Sequence, residues 1–424
     1  MVGMERSIEE INERIKRREA IVLTAQEVGE RVKSGEDLAV EDVDVVTTAT
    51  RAIMSGTYAV LSFPVAEPYS FARAERAWLN GIPASIGPCP NERLGILDLM
   101  IFGTSHSRAN PNYGGGHLFR ELVEEKEIQV EVETDEGKSF TEAVRLENMP
   151  YARIFSTRNA FRNYVAFVNP KNAPVPTIFS AVNFPPGLTC ATVSGCGHLN
   201  PLENDPKLET IGVGTRILLN GAQGFVIGTG TRSMPSRPNL QGLADMHQMS
   251  PEFMGGFVTS AGAECIGSWA VPIPVLNKAV LENVLRLDRD VQLPIMDVNV
   301  RQTICKTSYE DVWSDADLEI QFDPSKCIKC ERCAVGQACP MSAVTFEGGK
   351  VMRIKERCFN CGLCATQCVG GAFRGNLGAI NFEGRKIPVV LRQSDRARAI
   401  KLADRLKQQI LDGSFRMTQM VEHL

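Results

Sequence analysis

From the amino terminus to about residue 310, apolar runs are short, and each is closed off by glycine or proline. They fall at 43–46, 60–63, 96–101, 128–132, 164–168, 217–219 and 225–227. Runs of this length bounded by turn residues predict strands. Between them, apolar positions spaced by three and four predict helices over 71–79, 117–126 and 277–287. Residues 1–20 alternate charge with Ile8, Ile11 and Ile15, which reads as an amphipathic surface helix. Further on, 378–391 reads as a hairpin turning at Glu383-Gly384. A basic helix follows, with Ala397, Ile400, Ala403, Leu406 and Ile410 on one stripe. The fold class expected for the large domain is therefore α/β, in the mixed α+β sense.

The 424 residues suit two or three domains at ~150 residues each. A 43% hydrophobic, 23% charged composition can fill a sizeable core. Lys plus Arg number 46 against 50 Asp plus Glu, a net charge of −4. That balance gives no electrostatic basis for binding nucleic acid or an anionic membrane. No apolar run reaches the ~18 residues of a membrane span, and the first helix lacks the apolar core of a signal peptide. A cytoplasmic protein is expected.

The cysteines change the picture most. Eight of thirteen lie between Cys327 and Cys368, and in a reducing compartment such clustering marks ligands. The first block is Cys327-Ile-Lys-Cys330-Glu-Arg-Cys333, followed by Cys339-Pro340. The second is Cys358-Phe-Asn-Cys361-Gly-Leu-Cys364-Ala-Thr-Gln-Cys368. Two CxxCxxC blocks in tandem resemble a two-cluster bacterial ferredoxin over roughly 318–375. Three thiolates of a tight loop meet three corners of one [4Fe–4S] cubane, and the fourth ligand comes from the distant half. Cluster one is then expected on Cys327, Cys330, Cys333 and Cys368, and cluster two on Cys358, Cys361, Cys364 and Cys339. Two departures stand out: five residues separate Cys333 from Cys339 where three are usual, and Val369 replaces the customary proline. A pair of four-cysteine zinc sites is the alternative.

Because a two-cluster ferredoxin is complete by residue 375, the hairpin and helix of 376–424 need another partner. The expected organisation is a catalytic domain over 1–317, a ferredoxin inserted at 318–375, and a tail at 376–424 packing back on the first domain. Within the first domain, three loops carry candidate chemistry. Gly87-Pro-Cys89-Pro-Asn91-Glu92 places a thiol between prolines. Ser194-Gly-Cys196-Gly-His198 places one between glycines, where a ligand can approach closely, and Cys190 lies six residues before it. Tyr113-Gly-Gly-Gly-His117 could open a helix whose first N–H groups accept an anion. Cys89, Cys196, Cys190, His198 and His117 are the candidate catalytic residues, while Cys265 and Cys305 read as packed thiols. Arg51, Arg93, Arg153, Arg158 and Arg162 suit an anionic substrate or surface ion pairs. Gly212-Val-Gly214 and Gly228-Thr-Gly230 give no Rossmann fingerprint, and no Walker A or HExxH sequence occurs.

These loops, with Val43-Asp-Val-Val-Thr-Thr48, Ala77-Trp-Leu-Asn80, Phe167-Val-Asn-Pro170, Asn200-Pro-Leu-Glu-Asn-Asp205 and Asp412-Gly-Ser-Phe415, resemble the homocysteine biosynthesis (sulfur-incorporation) family. With the ferredoxin, the chain is most similar to the methanogen branch called methanogenesis marker protein 16. The resemblance implies an iron–sulfur sulfurtransferase that converts an aldehyde to a thiol. L-Aspartate semialdehyde to homocysteine is the best-known case, and sulfoacetaldehyde to coenzyme M an analogous one. The partners implied are a small anionic aldehyde, sulfide and an electron-donor protein, with self-association left open. Homocysteine-forming members carry cysteines at positions matching Ser55 and Ser139, so a persulfide here must sit elsewhere, with Cys89 or Cys196 the candidates. Alternatively Cys89, Cys190 and Cys196 hold a third cluster. An electron-transfer or assembly protein without activity of its own, and a flavin oxidoreductase, are the competing readings.

Overall fold

The computed structural model describes residues 6–87, 93–159, 165–347 and 350–424. Among the described residues, fourteen strands join in one sheet. Near one end of it, beside the edge strand Val22–Thr24, Val45–Ile53 runs antiparallel to Gly262–Pro274 in unbroken register from Ile53↔Ile266 to Val45↔Pro274. Both strands are buried along almost their whole length, as strands covered on two faces must be. From Gly262–Pro274 the sheet continues through Arg216–Leu219, Ala222–Thr229, Leu240–Asp245, Tyr151–Asn159 and Thr57–Pro64. It ends in the meander that contains Ile96–Phe102, Ala74–Leu79, Ile128–Thr134 and Ser139–Val144.

A second sheet of six strands has the order Thr303–Ser308, Gln292–Asp297, Ala166–Val168, Ala191–Val193, Arg385–Arg392, Ala379–Phe382. Ala191–Val193 pairs in parallel with Arg385–Arg392 across nearly two hundred intervening residues. After that strand, helix Arg396–Leu411 lies on Val22–Thr24, Val45–Ile53 and Gly262–Pro274. Its buried stripe is Ala399, Leu402, Ala403, Leu406 and Ile410. Ala397 and Ile400, expected on that stripe, are only partly covered. No helix among the described residues is long and apolar enough to cross a membrane.

One expected element is of the wrong type. Residues 71–79 contain the strand Ala74–Leu79, not a helix. Leu79 pairs with Ile82 around Asn80-Gly81, both at positive φ (48° and 77°). Asn-Gly at two left-handed positions is the turn that matches strand twist, and it overrides the helix-favouring Ala-Glu-Arg-Ala. Asn220-Gly221 and Glu383-Gly384 use the same device, with φ of 52° and 86°, and of 50° and 81°.

Candidate functional site

Between Gln321–Phe322 and its antiparallel partner Phe373–Arg374 lie all eight clustered cysteines. Cys327, Cys330, Cys333 and Cys368 line one cavity; Cys339, Cys358, Cys361 and Cys364 line another. The five residues between Cys333 and Cys339 form one short helix, Ala334–Ala338, so the unusual spacing is taken up as a helical turn. Backbone N–H groups point at sulfur: Gly336 to Cys333 at 3.5 Å, Ala343 to Cys339 at 3.3 Å, Asn360 to Cys358 at 3.5 Å. Such donors stabilise thiolates. Among the described residues, no group of three or more His, Cys, Asp or Glu is compact enough to hold a single metal ion.

The two cavities face different surroundings. Around the first, Ile328 is 63% exposed and Val369 84%. The second is pressed into the large domain. Val258 N–H donates to the Pro340 carbonyl at 3.0 Å and Arg392 N–H to the Cys361 carbonyl at 2.8 Å. Phe359 packs edge-on against Phe257 at 5.3 Å, and Arg51 lies over the Phe359 ring at 4.8 Å.

Arg51 belongs to a buried ionic group. Its Nη1 donates to Asp395 at 2.8 Å with both side chains fully enclosed. Asp395 also accepts from Arg398 at 2.9 Å and from Asn360 at 3.2 Å. Arg398 reaches the carbonyls of Lys355 and Cys358, and Arg392 those of Asp317 and Asn376. Arg396 pairs with Asp288 at 2.8 Å. Four buried arginines and two buried aspartates make up this group, with the Glu252 carboxylate 3.6 Å from Arg398 Nε at its edge. Burial lowers Arg51 and Arg392 to about 10, which leaves both cationic at neutral pH. Four thiols to each cavity, with backbone N–H groups turned toward sulfur, are a donor set that fits a [4Fe–4S] cluster.

The other candidate residues separate. Cys89 and Arg162 lie outside the described residues. Cys196 has no exposed surface; burial pushes its thiol up to about 11 despite the Arg51 backbone N–H and Arg396 nearby. That opposes a thiolate nucleophile. Cys190 sits in a different apolar cluster, with Phe167, Phe184 and Met296, where burial also raises it. The third-cluster reading therefore gains no shared cavity for Cys190 and Cys196. Cys265 is buried and pushed up to about 12; Cys305 is partly exposed.

His198 is anchored rather than free. Its Nδ1 lies 2.8 Å from Asp288, which also accepts from the His198 backbone at 2.9 Å. Burial raises the Asp288 carboxyl, but Arg396 and His198 outweigh it and hold it well below the usual range. His117 caps its own helix, Gly115–Val123, with Nδ1 accepting from Gly114 N–H at 3.1 Å. Gly115 and Gly116 donate to the Ser105 and Gly103 carbonyls. The expected anion site is therefore already filled by the protein's own acceptors. Of the other arginines, Arg153 pairs with Asp245 at the surface.

The family model described as homocysteine biosynthesis enzyme, sulfur-incorporation, matches residues 20–417. The chain belongs to that family. It is 46% identical over 416 residues to an uncharacterized protein of Methanothermobacter thermautotrophicus, covering 98% of this chain and 95% of that one. It is 33% identical over 325 residues to an L-aspartate semialdehyde sulfurtransferase of Methanocaldococcus jannaschii, covering 72% of this chain and 62% of that one. An uncharacterized ferredoxin of the latter organism matches 49 residues at 39% identity, 12% of this chain and 32% of that protein. No solved structure is significantly similar.

Within this family member, sequence reasoning missed Asp288, Asp395, Arg392, Arg396 and Arg398. The dense run Arg392-Gln-Ser-Asp-Arg-Ala-Arg398 was a signal, since Asp395 at a helix start is a natural cap. Two histidines give the fold an acid-side weakness. Burial lowers His117 to about 4 and also lowers His198, so the folded state binds fewer protons than the unfolded chain. Their stabilisation is complete above the unfolded value near 6.5 and is lost as pH falls toward the folded value. For His117 alone the loss by pH 4 is about 3 kcal/mol, at ~1.4 kcal/mol per unit. Urea midpoints measured from pH 7 to 4 should fall, and His117→Gln should flatten the curve.

Proposed function

We propose that the chain is an iron–sulfur sulfurtransferase that makes a thiol from a small anionic aldehyde, sulfide and two electrons. L-Aspartate semialdehyde and sulfoacetaldehyde are the substrates to test first. In this reading residues 318–375 are an inserted ferredoxin module. The observation that carries it is the pair of four-cysteine cavities, one solvent-facing and one hydrogen-bonded to the large domain. Family membership supports the sulfur chemistry, and the named relative supports an aldehyde substrate.

Replacing an aldehyde oxygen by sulfur and hydrogen consumes two electrons and two protons and releases one water. When bound, two [4Fe–4S] clusters supply single electrons that sum to the pair. Cys327, Cys330, Cys333 and Cys368 would hold one, and Cys339, Cys358, Cys361 and Cys364 the other. The exposed first loop suits contact with an electron-donor protein. The second loop, clamped by Arg392 and Arg398, is positioned against the large domain. With Cys196 and Cys190 enclosed, Cys89 is the remaining candidate for a reacting thiol, and sulfide itself is the sulfur donor.

Anaerobically purified protein should contain about eight irons and form thiol from aldehyde, sulfide and a one-electron reductant. Cys89→Ser should abolish turnover at full iron content, while Cys196→Ser should retain it. Iron without thiol formation from either aldehyde would favour an electron-transfer or assembly role. Stoichiometric zinc in place of iron would end the iron–sulfur reading.

A further inference from the structure

The long sheet changes character along its outward face. Side chains alternate along a strand, and in Tyr151–Asn159, Thr57–Pro64 and Ile96–Phe102 the inward set, such as Ile154, Leu61 and Leu99, is fully buried. The outward set is apolar as well. Register places Phe225 beside Leu243, Leu243 beside Phe155, Phe155 beside Tyr58, and Tyr58 beside Phe102. One row of five large side chains therefore crosses five strands without a gap. Tyr58 and Phe155 stack at 5.2 Å, and Tyr58 meets Phe102 edge-on at 6.2 Å. Phe225 is 39% exposed and Phe102 47%, and the three between them are partly exposed. Val60 and Met100 pair in the next row.

Farther along, the same sheet meets water differently. Ile128–Thr134 turns Gln129, Glu131 and Glu133 outward, with Glu133 paired to Arg76 at 2.7 Å and Glu131 paired to Arg108. That is a solvated face. Across the five strands of the apolar row, the outward positions hold no Lys or Glu among the described residues. Arg153 and Asp245 neutralise each other there at 2.6 Å, which leaves Asp98. Aromatic residues, Met and Arg with Lys and Glu depleted are the composition of a protein–protein interface. At ~4.8 Å between strands and ~3.3 Å per residue the face covers on the order of 500 Å², so two such faces together reach the ~1,000 Å² that a specific interface requires.

We infer that this face is the interface between two copies of the chain, packed sheet on sheet about a two-fold axis that lies along the row from Phe225 to Phe102. A partner of opposite charge finds no charged patch to hold here, whereas an uncharged row is complementary to itself. The charges choose the axis. With the axis along the strands, Arg153 would face the partner's Arg153, a like-charge contact that interfaces avoid. With the axis along the row, Arg153 and Asp245 fall to one side of it. They then face the partner's Thr157 and the partner's Gln241. Such a contact uses the same patch on both copies and closes on itself, so assembly stops at two. It uses none of the cysteine-rich segment and does not depend on the sulfurtransferase reading.

The test uses full-length, anaerobically purified protein. At ~50 μM the wild type should sediment at twice the chain mass and dissociate on dilution, since interfaces of this size span micromolar to tighter affinities. Phe102 is the most exposed member of the row and lies on the axis, so Phe102→Lys and Phe102→Glu each set like charges against one another. Each should weaken the dimer ~10-fold or more, with circular dichroism and iron content unchanged. An equimolar mixture of the two variants should regain a heterodimer. Carbene photolabelling of Phe102 and Met100 in the wild type should fall as concentration rises, a readout that stands even where the variants do not fold. A wild type that stays monomeric, with labelling independent of concentration, leaves the face to some other protein and overturns the proposal. So does a dimer indifferent to both changes at Phe102, or a pair of weakened variants whose mixture forms no heterodimer.

Discussion

A chain ending at residue 374 should not fold. It lacks the strand that completes the six-stranded sheet beside Ala191–Val193 and the helix that covers Val45–Ile53. Ile380, Ile387, Leu391, Leu402, Leu406, Ile410 and Phe415 are each at most 1% exposed. At ~2 kcal/mol for each side chain the removed contacts exceed ~10 kcal/mol, comparable with the whole stability of a domain. Arg51 would also lose Asp395 and remain a buried, uncompensated cation. Expression should yield aggregate, with no cooperative unfolding by circular dichroism. A soluble 1–374 protein with a sharp urea transition would refute both the packing argument and the inserted-module reading.

Replacing Asp395 by alanine should be the most damaging single change in the ionic group. The carboxylate accepts from Arg51 and Arg398, both buried, and caps helix Arg396–Leu411 through the Arg398 N–H. Breaking one partner of a buried pair costs about 3–5 kcal/mol, and loss of the cap adds ~1 kcal/mol. Asp395→Asn keeps the capping oxygen and should cost less. The difference between the two variants, read from urea midpoints, separates the ionic contribution from the cap. Equal and small losses would mean that Arg51 finds another partner.

The grouping of the cysteines about two cavities was legible because CxxCxxC spacing is local, and the sharing of Cys339 and Cys368 between the halves follows the tandem order. The hairpin at Glu383-Gly384 and the terminal helix were legible for the same reason, with turn chemistry and a periodic stripe. What was not legible is long-range. Nothing near Arg51 announces that its partner is Asp395, or that Phe359 stacks beneath it. The helix expected at 71–79 failed at the opposite scale, because Asn80-Gly81 outweighs the propensity of the six residues before it. His117 and the glycines before it did open a helix, but the acceptors of the Gly115 and Gly116 N–H groups are the Ser105 and Gly103 carbonyls, brought back by a loop that no local pattern announces.

The pairing of Ala191–Val193 with Arg385–Arg392 also sets an order in time. Gly195 N–H bonds to Ser394, 199 residues apart, so on the ribosome the first of these segments waits while the whole cysteine-rich stretch emerges. At ~5–20 residues per second that interval lasts on the order of ten seconds or more. Throughout it, Val45–Ile53 and the loop of Cys196 lack the helix that seals them, so their apolar surface stays open to solvent. The same interval leaves Cys358 and Cys361 reachable from solvent before Arg392 and Arg398 close over their loop. Closure over the cysteine loop and completion of the fold are thereby made one event.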